Sequence, residues 1–287
     1  MPLWDAPWYG SYGKFSFILL FWFLPPSMEP EIRPGDRVVV WKPWMGARIF
    51  NFFAALGDKQ PPIWRMPGLR RPKRGDILVF NYPYSDGWDK ITFNVKTYYV
   101  KRCIALPGDT LAIREGIYHI ARYTGPVGNL ESQRALAAQS DSILKERHRW
   151  RTYPRDTLLG WNVKYFGPLK IPAIGDEITL NRTNYVLYGP LMEWETKKKI
   201  YFKPAENTCY LGKCRLATYR FRQNYYFMGG DQAENSEDSR YWGLVPESFI
   251  VGRVGWISRS YDPSTLGFKK SCLNGMREHN GFLCRIL

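Results

Sequence analysis

Histidine and cysteine are scarce in this chain, with three His and five Cys among 287 residues. No two of them stand at C-x-x-C or H-x-x-x-H spacing, so a zinc framework is missing. The odd number of cysteines leaves at least one thiol free unless chains are cross-linked. Cys209 and Cys214 flank what reads as a hairpin tip, and both a disulfide and two unpaired thiols fit that spacing. A long apolar run is also lacking. Residues 15–24 are apolar but number only about ten, short of the roughly 18–20 needed to span a bilayer. Pro25-Pro26-Ser27-Met28 follows, which is not the small-residue cleavage site of a removable leader. Internal repeats and low-complexity tracts are absent. Acid is outnumbered: 26 Asp and Glu against 41 Lys and Arg give a net charge of +15. Such a balance suits nucleic acid, an anionic membrane surface or acidic partners. The basic residues are dispersed, in clusters no longer than Arg70-Arg71-Pro72-Lys73-Arg74 and Lys197-Lys198-Lys199. No nucleic-acid-binding motif accompanies them, so a membrane surface or plain solubility is the reading.

What is present favours strands and turns. Hydrophobic residues make up 45% of the chain and aromatics 16%, with 25 Gly and 21 Pro. A turn and β-branched strand is expected over 35–42, a long surface loop over 43–72, and further strands over 74–80 and 97–104. An amphipathic helix is expected within 130–149. Strand-like pieces resume at 176–181, 184–188, 200–203 and 215–228. The run at 15–24, preceded by Trp4, Trp8, Tyr9 and Tyr12, reads as an uncleaved anchor or docking segment. A buried core strand is the alternative.

Four segments carry chemistry. They are Ser27-Met28-Glu29-Pro30 with Gly35-Asp36, Lys73 to Phe80, Tyr99 to Asp109, and Phe227 to Gly243. A serine hydroxyl needs a base to become a nucleophile. None of His119, His148 or His279 lies in these segments, whereas Lys101 does. A lysine serves as base only when neutral, and an exposed one titrates near ~10.4. Burial among apolar groups lowers that value. A depression of three units corresponds to about 4 kcal/mol of desolvation held by the fold. On a strand, Tyr99, Lys101 and Cys103 share one face and Arg102 the other. No acid lies within seven positions of Lys101.

In this order the four segments resemble the type I signal peptidases, whose boxes run S-M-x-P, R-G-D-I/V, K-R-x-x-G-L-P-G-D and G-D-N-x-x-N-S-x-D-S-R-x-W-G. The resemblance covers residues 15–112 and 225–255. It implies a mainly β fold: an antiparallel β-sheet catalytic core, an inserted α+β subdomain and a short N-terminal membrane anchor. The corresponding division is an anchor at 1–25, core at 26–112, an insert at 113–224, core again at 225–260 and a tail at 261–287. The resemblance implies a serine endopeptidase with Ser27 as nucleophile and Lys101 as general base, acting without metal or cofactor. It further implies that Ser236 orients the lysine amine, that Asp238 and Arg240 form a supporting ion pair, and that Gly230 and Asp231 wall the site. Ser239 is expected to be structural.

The implied substrates are preprotein signal peptides, cut after small residues at the first and third positions before the scissile bond. They would bind as an added strand, against pockets drawn from Phe21, Phe23, Met28, Ile32, Tyr99 and Val100. The implied setting is the bacterial inner membrane, with a monomeric catalytic domain on the periplasmic side, bilayer contact and no nucleic acid. Three positions depart from the family. Pro25 stands where Ser, Thr or Gly helps the oxyanion hole, so the second donor there is open. Gln232 replaces Asn, and Glu31 replaces Thr. Two alternatives remain: a specialised Ser-Lys peptidase for a narrow set of secreted or surface proteins, and a non-catalytic basic binding module.

Overall fold

β-Branched and aromatic runs build one large sheet. Its strands in chain order are Ile18–Trp22 (β1), Arg37–Trp41 (β2), Ile77–Asn81 (β3), Tyr98–Ala105 (β4), Tyr225–Gly229 (β5), Val245–Pro246 (β6) and Ile250–Asp262 (β7). The structure is a computed structural model and describes residues 18–22, 26–56, 60–87, 89–147, 149–262, 267–269 and 284–285. The strand order is β1-β2-β7-β3-β4-β5-β6, with Gly267–Lys269 and Cys284–Arg285 added on β7. Every neighbouring pair is antiparallel. The mainly β, antiparallel expectation therefore holds.

β7 pairs with both β2 and β3, and its register shifts between 250 and 252, 254 and 256, and 257 and 259. Bulges of this kind bend and twist a strand. Gly252 permits the close approach, because a Cβ there would stand 2.6 Å from the Trp41 carbonyl oxygen.

Side-chain alternation divides the sheet into two apolar faces. Ile77, Val79 and Val100 pack with Met28, Ile32, Val38, Val40 and Val251 on one side. Leu78, Phe80 and Cys103 pack with Phe227, Trp242 and the 113–224 region on the other. Between β4 and β5 the chain leaves the large sheet. It forms a three-stranded sheet of Thr110–Arg114, Ile117–Ile120 and Phe166–Lys170, a second of Ile200–Lys203, Thr208–Leu211 and Cys214–Leu216, and a pair of Glu177–Thr179 with Thr218–Arg220. In the second sheet Cys209 faces Leu216 and Cys214 faces Leu211, and both thiols are free.

Three local expectations are corrected. The single helix within 130–149 is two, Leu130–Ala138 and Asp141–Glu146, the second capped by the Ser140 hydroxyl. The strand expected at 184–188 belongs to a helix, Arg182–Thr196. Asn181 caps its start, and Leu187, Tyr188, Leu191, Met192 and Trp194 are buried at helical spacing. That burial overrides the strand preference of Tyr185, Val186 and Tyr188 and the presence of Pro190. The 43–72 loop contains a two-residue ribbon, Arg48–Ile49 against Trp64–Arg65, and a short helix, Phe52–Leu56. Most of the expected anchor at 1–25 lies outside the described residues; its described part, 18–22, is β1. The 261–287 tail is likewise largely outside them. Among the described residues no helix is long and apolar enough to cross a membrane.

Candidate active site

Ser27 sits in a single 3₁₀ turn, Pro26–Met28. The turn is closed by the Glu29 N–H donating to the Pro26 carbonyl at 3.0 Å, and the next turn by Ile32 N–H to the Met28 carbonyl at 3.0 Å. Met28 and Ile32, buried in the β-sheet cluster, hold the turn down. Lys101 is central in β4, opposite Leu78 of β3. Its Nζ lies 2.7 Å from Ser27 Oγ, although 74 positions separate them. Only 7% of Ser27 and 5% of Lys101 are exposed. Burial lowers the Lys101 amine to about 8; Asp238 opposes the shift and Arg240 adds to it.

The fourth segment wraps this pair. Asp238 and Arg240 form a bidentate ion pair, with Nε to Oδ1 and Nη2 to Oδ2 both 2.8 Å, and both side chains are fully buried. Burial alone would raise the Asp238 carboxyl, but Arg240 and the Gly230 N–H hold it below the usual carboxylate range. That N–H donates to Asp238 Oδ2 at 3.0 Å, and Arg240 Nη2 donates to the Ala233 carbonyl at 2.7 Å. The Gln232 N–H donates to the Ser27 carbonyl at 3.1 Å. The residue that departs from the family box thus holds the serine turn through its backbone. Ser239 Oγ accepts the Met228 N–H at 2.9 Å, tying the segment to β5.

Ser236 is fully buried, but its hydroxyl makes no hydrogen bond among the described residues. It lies against Gly230, where a Cβ would stand 2.1 Å from its Oγ. The Asp231 carboxylate takes two hydrogen bonds from Arg102, both 2.6 Å. Arg102 also donates to the Gly75 carbonyl at 2.8 Å and lies 3.9 Å from the Glu31 carboxylate. Residues from the second, third and fourth segments, with Glu31 just after Pro30 of the first, therefore meet at one guanidinium. The strand face of Arg102 is legible from alternation; its partner Asp231, 129 positions away, is not.

Met28, Ile32 and Val100 belong to one buried cluster, whereas Tyr99 packs against the other. The Tyr99 ring stacks on Tyr82 at 4.5 Å, and its centroid lies 6.0 Å from Lys101 Nζ. Phe21 pairs through its backbone with Val38. Phe23 lies outside the described residues.

Comparison with known proteins gives the same direction. The family model described as signal peptidase, peptidase S26, matches residues 15–258. Signal peptidase I of Buchnera aphidicola subsp. Baizongia pistaciae is 27% identical over 80% of this chain and 66% of its own length. The Haemophilus influenzae signal peptidase I is 26% identical over 82% of this chain and 62% of its own length. The chain thus spans somewhat less than two thirds of these relatives. A solved signal peptidase I from Enterococcus faecalis V583 is 17% identical and covers 65% of this chain and 99% of its own, with a TM-score of 0.27, too low to bear on the fold. With its family model matching most of the chain, this protein belongs to the signal peptidase family, peptidase S26.

Proposed function

We propose that this protein is a membrane-associated serine endopeptidase that removes signal peptides from exported preproteins. In this reading Ser27 is the nucleophile and Lys101 the general base. The observation that carries it is the 2.7 Å contact between the Ser27 hydroxyl and a buried Lys101 amine lowered to about 8. Neutral Lys101 accepts the hydroxyl proton as Ser27 Oγ attacks the peptide carbonyl. The resulting ammonium protonates the departing amine, leaving an ester on Ser27. Water, deprotonated by the same amine, then hydrolyses that ester. General-base assistance of this kind contributes about 10²–10⁴-fold.

The remaining roles follow from placement. Asp238 and Arg240 hold the Gly230–Ala233 backbone against the Ser27 turn. Ser236, buried against Gly230 with its hydroxyl unpartnered among the described residues, is assigned to steadying the amine during the reaction. The Ser27 N–H supplies one oxyanion donor, and Pro25 supplies none. Tyr99, whose ring centroid lies 6.0 Å from Lys101 Nζ, is assigned to a narrow pocket favouring small residues before the cut. We place the chain at the bacterial inner membrane with the 26–112 and 225–260 core on the periplasmic side, and treat 113–224 as an insert in that core.

The test is cleavage of a preprotein with Ala at the first and third positions before the cut, with the product ends mapped by mass spectrometry. A single cut after the Ala pair supports the reading. No cleavage, or cleavage indifferent to a bulky residue at those positions, sinks it.

A further inference from the structure

The ribbon in the 43–72 loop has its polarity inverted. Arg48 pairs with Arg65 and Ile49 with Trp64 across two short strands. Neighbouring residues on a strand point to opposite faces, so the two arginines share one face and Ile49 and Trp64 the other. The arginines face the protein. Arg48 Nη1 donates to Asn81 Oδ1 at 2.7 Å and to the Phe249 carbonyl at 3.1 Å. Arg65 donates to the Met45 and Gly46 carbonyls at 2.9 and 3.1 Å, to the Glu247 carbonyl at 2.9 Å, and to the Ile250 carbonyl. The apolar face is in the open: Ile49 is 56% exposed and Trp64 69%. Met66, two residues on, is exposed as well, as is Phe53 at 83% in the adjoining short helix.

A water-facing ribbon would place the guanidiniums outward, where hydration is free, and the indole inward. Scattered exposed apolar residues need no explanation, but a contiguous set on one anchored ribbon does. Charge states the chemistry of the partner. Leu69 is exposed at the far end of the loop, followed by exposed Arg70, Arg71 and Lys73. Asp58 is the only acid between 42 and 74. Aromatic and aliphatic side chains flanked by cations match the boundary of an anionic bilayer, where apolar groups enter the acyl region and Lys or Arg meets the headgroups.

We infer that the ribbon carrying Ile49 and Trp64, with Phe53 of the helix that follows Ile49 in the chain, docks into an anionic lipid surface through residues other than 1–25. Its arginine anchors tie it to β3 and to the start of β7, and β3 pairs with β4, which carries Lys101. Docking there would fix the orientation of the Ser27–Lys101 cleft to the bilayer.

The full chain, labelled with fluorotryptophan and reconstituted into phosphatidylcholine vesicles containing phosphatidylglycerol, provides the test by fluorine NMR. The Trp64 resonance is the one lost in Trp64→Phe. The expected result is loss of that resonance with an acyl-chain nitroxide lipid and its persistence with an aqueous gadolinium chelate. Replacing exposed Ile49 and Phe53 by Ser should restore the resonance in the presence of the nitroxide lipid. Broadening by the chelate alone overturns the inference. Protection from both agents overturns it too, since a second copy or a protein partner would then cover the face. No peptide cleavage enters the readout, so the outcome is independent of the catalytic assignment.

Discussion

Gly230 and Ser236 approach so closely that a Cβ built on Gly230 would stand 2.1 Å from the Ser236 hydroxyl. The same Cβ would stand 2.6 Å from the Ser27 carbonyl oxygen. Glycine is needed here for space, because the fourth segment presses its backbone against the serine turn. Gly230→Ala must push Ser27, Ser236 or both. Overpacking of this kind costs about 1–3 kcal/mol, and a displaced nucleophile loses about 10²-fold in rate. Thermal denaturation and the cleavage rate check the two parts separately.

The pH profile follows from Lys101. The amine serves as base only when neutral, and burial lowers it to about 8. kcat/KM should rise about tenfold per pH unit below about 8 and level above it. A profile flat from about pH 6 to 8 would contradict the assignment. Asp238 raises the Lys101 pKa, so Asp238→Asn should move the ascending limb to lower pH.

Stability carries the same signature. The folded value of about 8 lies below the ordinary 10.5, so between them the unfolded chain binds more protons. Stability then rises with pH across that window, and below about 8 the cost of the buried ammonium is present in full. Two to three units correspond to about 3 kcal/mol. Lys101→Met should raise Tm at neutral pH while abolishing activity, and the gain should vanish as pH approaches 10.5. Measurement of Tm against pH for both proteins decides it.

The Asp238–Arg240 pair is fully buried. Removing one partner leaves an uncompensated charge, at a cost of about 3–5 kcal/mol. Asp238→Ala should therefore unfold at distinctly lower denaturant than Asp231→Ala, whose partner Arg102 is partly open to solvent. Chemical denaturation of the two variants provides the comparison.

Much of the large sheet was legible because its strands are β-branched runs closed by Gly-Asp turns. The strands at 37–41, 77–81 and 98–105 fall within one to three residues of the expected segments. The 182–196 helix was not legible, since its packing partners come from the distant 166–170 and 219–225 segments. Nor was the convergence of Gly75, Asp231 and Glu31 on Arg102, which depends on tertiary approach rather than spacing. The ribbon at 48–49 and 64–65 is not legible, because two residues per strand leave no periodicity to read.

The central claim is that Ser27 and Lys101 act together, and two single variants test it most directly. Ser27→Ala and Lys101→Ala, each shown to be folded by circular dichroism, are assayed on a preprotein with Ala at the first and third positions before the cut. Each should lose cleavage by about 10³-fold or more. Retained activity in either folded variant would contradict the pairing.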